Sequence, residues 1–263
     1  MAPREAPSRD FPLWLVVVVA TGLWLFWEVL SSDLYADILR KLLRGVWITA
    51  TVAVVAYGAA CLLGLGLALM TLSRRLLVRQ AARLYVEVMR GVPIIVLLLY
   101  VAFVLAPALV DLWNWGRGLL GMDPVRPREF SLLWRAVIAL TLAYSAFLAE
   151  VFRAGLLSVE RGQVEAAMAM GLGPWARFRL VVFPQAFRTV FPALGNDFVA
   201  MVKDSSLVSV LGVTDVTQLG KVIAAGNFRY FETYNVVALI YLTLTIGLSL
   251  ALRRLERRLR GRG

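Results

Sequence analysis

The chain has no histidine and a single cysteine, Cys61, set inside an apolar run. Those two residue types supply most zinc ligands and most nucleophile–base pairs. Zinc sites, disulfide frameworks and Ser–His or Cys–His catalysis are therefore set aside, and Cys61 reads as a small buried packing residue. A phosphate-cradling G-x-x-x-x-G-K-[ST] stretch is also missing. The nearest approach, Leu219-Gly220-Lys221, lacks the earlier glycine and the following hydroxyl, so the chain has no P-loop with which to bind ATP. Charge is scarce as well, at 17% of residues against about 25% in soluble domains.

What fills the chain instead is apolar. Hydrophobic residues make up 60% and the mean hydropathy is +0.75, beyond the roughly 45–50% apolar share of a soluble protein. The 263 residues suit about five or six membrane-spanning helices of about 20 residues each. The net charge of +11 would suggest nucleic acid on a soluble protein. Here the arginines cluster at the ends of apolar runs, as in RRLERRLRGRG at the C-terminus, which is the signature of membrane orientation.

Hydropathy predicts spans over residues 11–30, 46–72, 92–113, 132–152, 188–211 and 234–252. The first run is long and has no small-x-small cleavage site after it, so a retained span is favoured over a signal peptide. The fifth carries Asn196, Asp197, Lys203 and Asp204 and is expected to face the bundle interior. With a cytoplasmic N-terminus, the inner segments hold 18 of the 28 lysines and arginines and the outer segments 10. That excess obeys the positive-inside rule and places residues 153–189 and the C-terminus in the cytoplasm.

Two local patterns organise the bundle. Ala56, Ala60, Gly64 and Ala68 recur every four residues and form a slim stripe for close helix packing, within the chain or between copies. Residues 74–90 are amphipathic. Leu76, Leu77, Leu84, Val88 and Met89 are expected against lipid, Glu87 and Arg90 are spaced to pair, and Gly91 with Pro93 makes an elbow into the next span.

Between the fourth and fifth spans lies EAAMAMGLGPWARFRLVVFP, residues 165–184. Good helix formers predict a short helix from Glu165 to Met170, with Glu165 near its start, where its charge favours the helix dipole. Gly171 suits a left-handed cap. Pro174 suits the first position of a second helix through Phe183, with Pro184 breaking the run. A simple connecting helix is the plain alternative.

These residues resemble the EAA loop of ABC importer permeases: Glu165-Ala166-Ala167, Gly171, Val181, Phe183 and Pro184. Val181 and Phe183 stand where Ile and Leu are more usual. YVEVMRGVPIIVLLLY, AYSAFLAEVFRAGLLSVERGQVEAAMAMGL and FPQAFRTVFPALGNDFVAMVKDSSLVSVLGV are similar to the polar amino-acid branch of that family, over residues 33 to 258. The resemblance implies an all-α, type I importer fold (MetI-like), a bundle of about six transmembrane helices with a cytoplasmic coupling helix. It divides the chain into an N-terminal tail and extra helix over 1–32, a permease unit over 33–258 with the loop near 160–184, and a basic tail over 259–263.

The resemblance further implies a non-catalytic subunit in the bacterial inner membrane. Its partners would be a second permease subunit, identical or related, two ATPase subunits that bind ATP and magnesium, and an extracytoplasmic solute-binding protein. Glu165, Ala166, Ala167, Gly171 and Pro184 would carry the ATPase contact. The cargo would be a polar amino acid, or an organic amine or opine-like compound.

Charged groups inside spans cost about 2.5–3.5 kcal/mol on insertion scales and tend to be functional or paired. Asn196 with Lys203, and Asp197 with Asp204, are seven apart and share helix faces. Lys203 suits a substrate carboxylate, Asp204 or Asp197 an ammonium, and Asn196, Ser205 and Ser206 neutral hydrogen bonds. Glu150 either pairs with Arg153 or faces the cavity. Glu150, Asn196, Lys203, Asp204 and Ser205 form the candidate translocation path. The competing class is a self-sufficient ion-coupled transporter or channel; a membrane-embedded enzyme has too thin an acid–base inventory.

Overall fold

The computed structural model describes residues 13–260, which contain helices and loops and no strand. The helices are α1 (Leu13–Ser31), α2 (Asp33–Thr71), α3 (Leu76–Gly91), α4 (Ile94–Tyr100), α5 (Ala106–Leu119), α6 (Leu132–Leu157), α7 (Arg161–Ala169), α8 (Pro174–Arg177), α9 (Phe183–Asp204), α10 (Val216–Asn227) and α11 (Tyr230–Arg260). Wide π turns at Val101–Leu105 and Phe178–Val182 join α4 to α5 and α8 to α9. The N-terminal tail through residue 12 and the last three residues of the basic tail lie outside the described residues.

Among these, α2, α4–α5, α6 and α11 are long and apolar enough to cross a membrane. A fifth crossing results if Pro174–Leu211 and Val216–Asn227, bent by 50° at the break between them, act as one span. The weak fifth run, 188–211, is the latter part of the first member of that pair. The first run forms α1, a 19-residue helix.

The largest difference from the sequence reading is α2. Its 39 residues span about 58 Å at 1.5 Å per residue, well beyond the roughly 30 Å hydrocarbon layer. The apolar run begins near residue 46, but the buried stripe begins earlier, at Tyr35, Ile38, Leu42 and Gly45, spaced by three and four. Exposed Arg40, Lys41 and Arg44 on the other face lower the hydropathy without interrupting that stripe. Asp37 and Lys41 pair at 2.6 Å one turn apart.

The small-residue stripe packs within the chain. Ala56, Ala60 and Ala68 are fully buried in the core shared by α2 and α6. A Cβ at Gly64 would stand 2.9 Å from the Leu148 Cβ and 3.0 Å from the Ser145 carbonyl oxygen. Gly45 is tighter still, because its added Cβ would meet backbone: the Val216 nitrogen at 2.6 Å and the Asp215 carbonyl carbon at 2.7 Å. Backbone cannot rotate away, so Gly45→Val is expected to lower the thermal stability of the detergent-solubilised protein by about 1–3 kcal/mol or more. Gly58→Ala, with nothing within 4 Å of the new methyl, should not lower the melting temperature and is expected to add about 0.5–1 kcal/mol, because alanine favours a helix interior over glycine.

On α3, Ala82 and Val86 face the core while Leu76, Leu77, Leu84 and Val88 are exposed. Met89 is partly buried against the core and is the exception to the expected lipid face. Gly91 ends α3 and Pro93 caps α4, forming the expected elbow. Glu87 and Arg90 form no ion pair; the Arg90 guanidinium lies 5.9 Å from the centre of the Phe147 ring instead.

One buried arginine organises the opposite end of the bundle. Arg135 is 7% exposed. It donates to the carbonyls of Phe130 at 3.0 Å, Ala102 at 2.7 Å and Pro127. Its charge is spread over carbonyl dipoles, and it pins the loop before α6 to the start of the first π turn.

Candidate functional site

The segment 161–204 builds the first candidate site. Helix α7 ends in a left-handed Gly171 with φ of +75°. The Gly171 amide donates to the Met168 carbonyl at 2.9 Å and the Leu172 amide to the Ala167 carbonyl at 3.1 Å. This reciprocal pair is a Schellman cap, which satisfies carbonyls that a helix end otherwise leaves open. Gly173 and Pro174 then start α8, with Pro174 at the position where a missing amide costs nothing.

Two sequence expectations are corrected here. Helix α7 starts at Arg161, after Glu160, so Glu165 lies mid-helix and makes no first-turn contribution to the helix dipole. Pro184 does not break the chain either: α8, the π turn and α9 run without interruption from Pro174 to Asp204. The π turn explains this. Its wider i to i+5 bonding immediately precedes the proline, where an ordinary turn would need the proline's absent amide.

The hairpin presents its residues unequally. Ala167 is fully buried, where α7 rests on α8 and the π turn, while Glu165, Ala166, Gly171 and Pro184 are exposed. Met168, Met170 and Trp175 are exposed at 50%, 72% and 69%. Three large apolar side chains thus stand on one small, capped hairpin. Sequence reasoning weighted the alanines and the glutamate and missed these residues; their spacing across the glycine was the available signal.

The second candidate site is polar. Glu150 and Arg153 pair at 2.6 Å, as their three-residue spacing allowed. They line a cavity of about 430 Å³ with Thr71, Arg83, Glu87 and Arg90. Carboxylates and guanidiniums from α3 and α6 therefore converge where α2 ends.

On α9 the seven-residue pairs divide between faces. Asp204 accepts a 2.7 Å hydrogen bond from the Tyr144 hydroxyl of α6. Asp197, half-buried, adjoins Phe198, whose ring lies 4.9 Å from that of Tyr57 on α2. Asn196 and Lys203 are exposed, and Lys203 forms no ion pair among the described residues. Ser205 departs from expectation: it is fully buried and donates to the Val202 carbonyl at 2.7 Å, a local bond closing the helix end.

A third polar node was not anticipated. Asp215 caps α10 by accepting from the Gln218 amide at 2.8 Å, and it also accepts from the Tyr241 hydroxyl of α11 at 3.1 Å. The Val216 amide reaches Thr49 on α2 at 3.4 Å. Together these contacts hold the bent pair against both long helices.

Comparison with known proteins bears on this arrangement directly. Residues 60–261 match the family model described as binding-protein-dependent transport system inner membrane component. A probable amino-acid permease protein, YxeN of Bacillus subtilis (strain 168), is 36% identical, with 88% of this chain and 94% of the relative covered. The glutamine transport system permease protein GlnP of Escherichia coli (strain K12) is 34% identical over 83% of this chain and 93% of its own. Among solved structures, an amino acid ABC transporter crystallised with histidines superposes with a TM-score of 0.69 at 34% identity, covering 85% of this chain and 96% of that one. The MetNI methionine ABC transporter, at 22% identity and a TM-score of 0.66 over 87% of this chain and 99% of that one, shares the fold. The capped hairpin, the helical bundle and these matches agree: the chain is a multi-pass membrane permease of the binding-protein-dependent transport family, with the fold of an ABC importer permease.

Proposed function

We propose that this permease is one of two transmembrane subunits, identical or related, of an ATP-driven importer of polar amino acids. The observation that carries this reading is the α7–α8 hairpin: a Schellman-capped unit with exposed Met168, Met170 and Trp175, joined without a loop to a helix of the bundle. Such a unit suits docking into a cleft on an ATPase subunit, with Glu165, Ala166 and Gly171 at the contact. Ala167 and Pro184 shape the hairpin and its exit. The excess of lysine and arginine in segments 73–91, 153–189 and 253–263 supports a cytoplasmic hairpin and C-terminus.

The chain itself binds no cofactor on this reading. ATP and magnesium sit on the two ATPase subunits, and a solute-binding protein delivers cargo from the outer side. The translocation path runs past exposed Asn196 and Lys203 to the cavity at Glu150, with Asp204 held at its edge by Tyr144. A cavity carrying both charge signs suits a zwitterion. The relatives' names support an amino acid, and a relative named as an octopine transport permease keeps opine-like cargo within the same chemistry. Helix α1 is read as a retained extra span preceding the permease unit over 33–258.

Affinity purification of the tagged chain from its native membrane tests the partner assignment. An ATPase subunit in stoichiometric amount is expected. A pure chain with no nucleotide-binding partner, under conditions that preserve other transporter complexes, contradicts it.

A further inference from the structure

Five aromatic rings follow one another along one face of the helix that begins at α8, the first pair stacked and the next three tilted. Trp175 and Phe178 lie 5.9 Å apart, Phe178 and Phe183 5.7 Å, Phe183 and Phe187 5.8 Å, and Phe187 and Phe191 5.7 Å. These are normal aromatic contact distances. The sequence steps are three, five, four and four. Steps of three and four keep side chains on one face of an α-helix, whereas a step of five turns the side chain well away. The five-residue step falls across Phe178–Val182, the residues of the π turn. A π turn holds one more residue per turn, so positions five apart align. The turn therefore keeps the ladder continuous past Pro184.

The two ends of the ladder differ in character. Its foot, Trp175, is 69% exposed beside the capped hairpin, and α7 rests on the π turn itself. Its head, Phe191, precedes Pro192, which removes a backbone bond inside α9. Beyond lie Gly195 and Asn196, and these residues with Phe191 line a small cleft of about 60 Å³ against Ser249 and Arg253 of α11. The helix is thus braced from Trp175 to Phe191 and released at Pro192–Gly195.

We propose that the Trp175–Phe178–Phe183–Phe187–Phe191 ladder, kept in register by the π turn, is the rigid strut through which movement of the α7–α8 hairpin reaches the polar segment at Asn196. The ring residues are positioning residues, and this assignment rests on the coupling reading of the hairpin. A strut transmits a displacement at its foot instead of absorbing it in bending, and the proline marks where it can pivot.

The test uses the complete complex of permease, ATPase subunits and binding protein in proteoliposomes. Solute imported per ATP hydrolysed is measured alongside hydrolysis alone. Phe178→Leu keeps an apolar side chain and removes the ring that touches both Trp175 and Phe183. It is expected to assemble and hydrolyse ATP within about twofold of wild type while importing about tenfold less per ATP, within the range of a lost inter-site coupling. Phe178→Tyr should restore the ratio, and Leu180→Ala, on an exposed residue of the π turn outside the ladder, should leave it unchanged. A wild-type ratio in Phe178→Leu overturns the strut, as does equal loss in Phe178→Tyr or in Leu180→Ala. Failure of Phe178→Leu to assemble also overturns it, by making the ring a folding element. A wild-type complex without ATP-driven import overturns the coupling reading together with the strut.

Discussion

Gly171→Val is expected to reduce ATP-driven uptake about tenfold, because a left-handed conformation costs a residue with a Cβ about 1–2 kcal/mol and 1.4 kcal/mol is a factor of ten. The Gly171 φ of +75° is the position that closes the Schellman cap, and a β-branched side chain is the least tolerant of it. The strain is relieved by opening the cap, which frees the Ala167 and Met168 carbonyls and unseats Met170 beside them. The turn has open space around Gly171, so the loss comes from backbone conformation and leaves the spans intact. Gly171→Asn discriminates, because asparagine tolerates the left-handed region and should retain most of the uptake. Equal loss in both variants points to a steric contact with the partner; wild-type uptake in Gly171→Val contradicts a role for the cap. Glu165→Lys is the companion, since it reverses an exposed charge on α7 without touching the cap and reports on docking alone.

Lys203→Met has the second large effect expected. A lysine within a span costs about 2.5–3.5 kcal/mol when unpaired, yet Lys203 is exposed on the chain surface with no ion pair among the described residues. Asp204, next to it, is engaged by Tyr144 on the opposite side. Lys203 therefore lies outside this chain's own packing, where the proposed translocation path needs an accessible cation. If it meets a cargo carboxylate, removing that charged hydrogen bond forfeits about 1.5–3 kcal/mol, or roughly tenfold or more in uptake. ATP hydrolysis in the absence of cargo should be unchanged. Asn196→Leu, which removes a neutral partner, should cost less, about 0.5–1.5 kcal/mol. Initial uptake rates at matched membrane levels decide this, and wild-type rates in both variants remove Lys203 and Asn196 from the path.

How far the sequence carried depends on the range of the interaction. Caps are local, so Gly171, Pro174 and the Gly91–Pro93 elbow were legible from three or four neighbouring residues. The Ala56–Ala68 stripe was legible as a stripe, but only the structure shows Ser145 and Leu148 of α6 filling its groove. Hydropathy misplaced the start of α2 because it averages both faces of a helix, and the buried Ile38–Leu42 face was offset by Arg40, Lys41 and Arg44. Pro184 read as a break because proline usually ends a helix; the π turn that accommodates it has no simple sequence signature. Ser205 looked like a path hydroxyl until its bond to Val202 was seen. The bonds from Tyr144 to Asp204 and from Tyr241 to Asp215 join residues 60 and 26 positions apart, beyond what periodicity in one chain reveals.

The central claim is that ATP hydrolysis by a partner, relayed through the α7–α8 hairpin, drives uptake through this bundle. It is tested most directly in proteoliposomes holding the purified permease with its ATPase subunits and binding protein, by measuring labelled amino-acid uptake. The account predicts accumulation that requires ATP inside the accessible ATPase compartment and persists when ion gradients are collapsed. Uptake by the permease alone, driven by an ion gradient and indifferent to ATP, would contradict it.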